Sequence, residues 1–155
     1  MIENGIKRPV RLVLENHCLA AALILTYSGI EMMAFLDLPS GTLDVTRSAF
    51  IHWADKYVSP TLPQGGSGPR ITGKDLYGAR CSALRGTDSR LAREGHCRLI
   101  RYASTNETAT LVGVEELVSA FFRSVDAFVA ETLRDEKRAE LLRTRLEQML
   151  KTLPF

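Results

Sequence analysis

The residues of this chain best placed to do chemistry lie in one short run, LYGARCSALR at positions 76–85, where two arginines stand five residues apart and a tyrosine and a serine lie between or beside them. At helical spacing Arg80 shares a face with Leu76, Tyr77, Ala83 and Leu84, so a guanidinium falls inside an apolar stripe. Arginine keeps its proton, and a buried one must find acceptors; a carboxylate with two oxygens matches its planar fork best. Two acids sit near the C-terminal end of the long apolar stretch upstream, Glu31 and Asp37. Glu31 interrupts an otherwise apolar face and itself needs a partner, so an Arg80–Glu31 pair is one expectation, with Asp37 as the second choice of acid; the other is that Arg80 snorkels to the surface along its aliphatic stem. Two meanings of such a pair stand open: a polar contact that fixes helix register, or part of a phosphate-handling site. In the second case Arg80 and Arg85 would clamp an anion, and Tyr77 and Ser82 would be the nearest hydroxyls.

The elements that must position this run can be read from periodicity and punctuation. Pro9 suits a first helical turn, and a single long helix is expected over roughly 10–37, buried among the others and ending before Pro39. The segment LPSGTLD breaks it. A second helix, capped by Asp44 or Thr46, carries Phe50, Ile51, Ala54, Tyr57 and Val58 on one face. Residues 59–71, with three prolines and three glycines, form a loop expected to be mobile; no Walker-type lysine follows its glycines.

Thr72 and Asp75 give a T-x-x-D start signal for the third helix, which should end near Gly86. CRLIRYAS and TATLVGV read as two short strands, with TNE as the turn of a β-hairpin near 97–113. Helices over about 115–133 and 135–152 follow. The expected fold is mainly α: about five helices bundled around a central N-terminal helix, in a single domain spanning 1–155.

Bulk composition narrows the class without naming a function. The 155 residues are 45% hydrophobic and 25% charged, with a net charge of +2, which is ordinary for one globular domain. Cys18, Cys81 and Cys97 are odd in number and lack paired spacing, so neither a disulfide framework nor a zinc site is indicated and a cytoplasmic protein is the simple reading. No histidine spacing supports a metal, and no cofactor motif is present. Positions 18–30 are free of charge, but Glu31 and the polar Thr26, Tyr27 and Ser28 argue for a core helix over a membrane span.

LYGARCSALRG, with the apolar helix carrying YSGIE ahead of it, resembles the HEPN superfamily of helical domains, and within it small bacterial proteins with a tyrosine-arginine-cysteine motif on the third helix. The resemblance covers about 10–133; its specific part is about ten residues. Arg80 falls on the motif arginine. Arg85 stands where the motif histidine would be. The resemblance implies a helical fold, a homodimer, and an RNA or protein partner in a stress, defence or toxin–antitoxin setting. In ribonuclease members the arginine and histidine work together at the dimer interface. Arg85 cannot act as a general base, so the reading is a non-catalytic binding module. The alternatives are an RNA-binding or RNA-cleaving enzyme with a degenerate site, and a purely structural protein. Arg90 and His96 give an arginine, five residues, histidine spacing that arises easily by chance among several arginines, outside the predicted helix, while His17 and His52 lie far apart.

Overall fold

The computed structural model describes residues 2–42, 44–62, 70–85, 96–102 and 107–152; of the side chains at 96–111, 150 and 152 nothing is said. The protein is mainly helical. Its order is α1 (Arg8–Glu15), α2 (Leu19–Leu36), α3 (Arg47–Trp53), α4 (Gly73–Leu84), β1 (His96–Tyr102), β2 (Glu107–Gly113), α5 (Val114–Thr132) and α6 (Glu136–Thr152). A π-type turn, Glu3–Lys7, leads into α1, and another, Ala54–Val58, prolongs α3.

The expected continuous helix over 10–37 is two helices. At the junction the N–H of Cys18 donates to the carbonyl of Val13 at 2.8 Å and that of His17 to Leu14 at 2.9 Å, the double bond pattern of a Schellman turn. His17 takes the left-handed conformation (φ 56°) usually filled by glycine there. With a histidine in the glycine position, the stop signal is absent from the sequence.

α2 carries the core. Ala22, Leu23, Tyr27, Ile30, Met33 and Leu36 are buried, and α1, α3, α4, α5 and α6 all touch it. At Gly29 an added Cβ would come 2.5 Å from Cζ of Phe121, so α5 passes against α2 at a spacing only glycine allows. Yet half of α2 is not buried, against the expectation of a helix enclosed on all sides. Ala21, Leu25, Ser28, Met32 and Phe35 are half-buried and Ile24 is 39% exposed. α2 is the one helix among the described residues long and apolar enough to cross a membrane; a core helix passes the same test.

Thr46, and not Asp44, caps α3, accepting from the N–H of Ala49 at 3.2 Å. The expected 59–71 loop is anchored at both ends: Ser59–Thr61 makes a 3-10 turn, and Leu62 and Ile71 are buried. Thr61 Oγ1 donates to the carbonyls of Val58 and Ala120, tying the turn to α5. Positions 63–69 lie outside the described residues. β1 and β2 pair antiparallel, with Leu99 opposite Thr110, and β1 runs beside α4. The turn expected at TNE falls largely outside the described residues. Val114, Leu117, Val118, Phe121, Val125 and Phe128 press the apolar stripe of α5 into the core.

Candidate functional site

α4 is fixed at its N-terminus by a reciprocal cap. The N–H of Thr72 donates to Asp75 Oδ2 at 2.8 Å, and that of Asp75 to Thr72 Oγ1 at 3.3 Å. One residue on, the N–H of Gly73 donates to Asp55 Oδ1 at 2.6 Å, which locks α4 against the end of α3. Leu76 and Ala79 point into the core, and the next positions round the helix are half-buried.

Arg80 Nη2 donates to Glu31 Oε2 at 2.5 Å. The guanidinium also lies 5.9 Å from the ring centre of Phe50 and 5.8 Å from that of Tyr77, two rings packed edge to face. Arg47 approaches Tyr77 at 5.3 Å. Burial pulls the Arg80 guanidinium down; the hydrogen bond and charge of Glu31 outweigh it, so it titrates above its ordinary range. The pair is not deeply buried: the side chains keep 19% and 39% of their exposure, because Glu31 sits on the open side of α2.

The other expected members are placed differently. α4 ends at Leu84 with Arg85 as its exposed C-cap, in keeping with the expected end near Gly86. Five helical steps carry Arg85 about 140° round the axis from Arg80. Ser82 and Tyr77 are half-buried on α4, Tyr77 against Phe50. Asp37 takes no part: its Oδ1 accepts from Arg138 at 3.0 Å. His96 opens β1, and Arg90 lies outside the described residues.

A polar network that sequence spacing does not announce joins α2, α3, α5 and α6. Glu131 accepts from Lys56 at 2.7 Å, from the Tyr57 hydroxyl at 3.0 Å and from Arg138 at 2.8 Å. The Lys56 and Arg138 hydrogen bonds hold the Glu131 carboxyl down to about 2, and Glu131 in turn raises Arg138. Further along α6, Arg145 is 3% exposed and donates to the carbonyls of Pro39 at 2.6 Å and Thr42 at 3.1 Å. The alternation of acids and bases on α6 reads as a solvated face, so neither arginine stands out in sequence.

Two concavities flank the end of α2. An apolar groove of about 360 Å³ runs beside Ser28, Glu31, Met32 and Phe35, closed by Val45 and Met149. A more polar cleft of about 480 Å³ lies where α2 passes into α3, with Asp37, Thr42, Ser48, His52 and Trp53 among its walls. No group of three metal-ligating side chains occurs among the described residues. No protein-family model, curated protein or solved structure matches the chain.

Proposed function

We propose that the chain is a non-catalytic, HEPN-like interaction module, a cytoplasmic homodimer built as a bundle of about five helices round α2 with a β1–β2 hairpin on its flank. The observation that carries this is the open apolar stripe of α2: Ala21, Ile24, Leu25, Ser28, Met32 and Phe35, at three- and four-residue steps, remain at least partly exposed. The groove continues the stripe towards α6.

A second copy suits this face. Crossed antiparallel about Ser28, the stripe is complementary to itself: small Ala21 meets Phe35, Ile24 meets Met32, and Ser28 lets the backbones approach. Its one charge, Glu31, is already answered within each copy by Arg80, so two copies meet without like-charge repulsion, and their helix dipoles oppose. Arg80, held by Glu31 and two rings, serves packing in this reading; Arg85 lies elsewhere on α4.

Sedimentation equilibrium tests it. The parent chain should be a dimer and Ile24→Glu a folded monomer; a monomeric parent, or a dimer indifferent to Ile24→Glu, removes the reading. Incubation with labelled RNA covers the enzymatic alternative: cleavage by the parent that Arg80→Ala abolishes would replace it.

A further inference from the structure

The cleft at the α2–α3 corner has the size of a site for a small organic molecule, and its walls divide in the usual way of such sites. Ala34, Leu38 and Pro39 supply apolar surface with the indole of Trp53, while Thr42, Ser48 and His52 supply hydroxyl and imidazole groups.

The cleft's lining includes one charged side chain, Asp37. Asp37 and Glu131 are the acids of the network, and Lys56 and Arg138 answer them one for one. Among the described residues Arg145 has no carboxylate partner. It is almost fully buried, its Nε finds no hydrogen-bond partner among the described residues, and its terminal nitrogen holds the carbonyls of Pro39 and Thr42, two residues of the cleft's own rim. Burial pulls this guanidinium below its ordinary range; it is held by carbonyl dipoles and by the face of the Phe35 ring 4.9 Å away, and not by a carboxylate. A negative charge brought into the cleft in front of that rim lies in the field of this cation, partly screened by the water that reaches the exposed Ser48 and His52. Asp37 would oppose an anion, but its charge is taken by Arg138.

We propose that this cleft binds a small organic carboxylate with an apolar body, its oxygens received by the Ser48 and Thr42 hydroxyls and the His52 imidazole in the field of Arg145. The proposal stands apart from the α2 stripe and from dimerisation.

Trp53 is the chain's one tryptophan and lies at the cleft wall with its ring packed on Tyr57 and Phe128, so a saturable, carboxylate-selective change in its emission that the exposed-site variants weaken reads occupancy of the cleft. Benzoate and hexanoate should change it saturably, with benzamide and hexylamine at least about tenfold weaker. Ser48→Ala and His52→Gln alter exposed side chains and should each weaken the carboxylates severalfold; Arg145→Gln should do so by about tenfold or more. Should Arg145→Gln not fold, the two exposed-site variants carry the test. The amine or amide saturating at the same concentration as the acid, carboxylates leaving the emission unchanged, or exposed-site variants titrating like the parent would each overturn the proposal.

Discussion

Arg138 bridges two carboxylates that belong to different parts of the fold: its Nη2 donates to Asp37 Oδ1 at 3.0 Å and its Nη1 to Glu131 Oε1 at 2.8 Å. One planar side chain thereby joins the end of α2, the end of α5 and the start of α6. Arg138→Met keeps the stem and removes both bonds. All three groups retain some water, so the expected loss is about 1 kcal/mol of stability. A cycle with Asp37→Asn, read by urea denaturation, should show coupling of roughly half a kcal/mol or more; strictly additive losses mean that the bridge is not formed in solution.

The acid limb of stability should carry the signature of Glu131. Its carboxyl is lowered from 4.5 to about 2, so the folded state prefers the ionised form. That preference is fully present above pH 4.5 and is lost as pH falls through about 2. The carboxylate is partly exposed, so the effect is screened to about 1 kcal/mol. Glu131→Gln should flatten the decline across that window in acid-dependent thermal melts. A variant whose melting temperature falls as steeply as the parent's would deny Glu131 this role.

Arg80 and Glu31 should couple by about 1 kcal/mol, the scale of a half-open ion pair. Arg80→Ala should lose roughly 2 kcal/mol, because it also strips a cation from the faces of Phe50 and Tyr77. Replacing both partners, Arg80→Met with Glu31→Leu, should recover part of that loss in chemical denaturation. A double variant whose loss equals or exceeds the sum of the two single losses would refute direct contact.

Two glycines of α4 should respond in opposite directions to alanine. At Gly73 the added Cβ would run into the backbone carbonyl of Ile51 and against Asp55, neither of which can yield cheaply. Gly73→Ala should cost about 1–3 kcal/mol. Gly78 has open space around it in mid-helix, so Gly78→Ala should gain roughly 0.5–1 kcal/mol. Equal effects at the two sites would mean that α4 does not dock on α3 through its first turn.

Much of the helical layout was legible because it is written in local chemistry. Thr46 and the Thr72–Asp75 box are caps whose reach is three residues, and the apolar period of α5 needs no partner to be read. Arg80 with Glu31 was legible for a related reason: each is a charge stranded on an apolar face. The end of α1 was hidden because a histidine fills a glycine position. The open side of α2 was hidden because its sequence is apolar all round, and only the packing of its neighbours decides which half is covered. The partners of Asp37 and the burial of Arg145 were illegible for want of distance information. They depend on α6 crossing the α2–α3 corner, and on α6 each arginine looks like one more surface charge.

That crossing bears on how the chain comes off the ribosome. The carbonyls of Pro39 and Thr42 and the carboxylate of Asp37 are translated early, and the arginines that engage them come about a hundred residues later. Contacts so distant along the chain form slowly, since a long loop must close before they give any return. Until α6 has emerged, the Pro39 carbonyl keeps only the N–H of Thr42 from its own turn, and the Thr42 carbonyl and the Asp37 carboxylate are left to water.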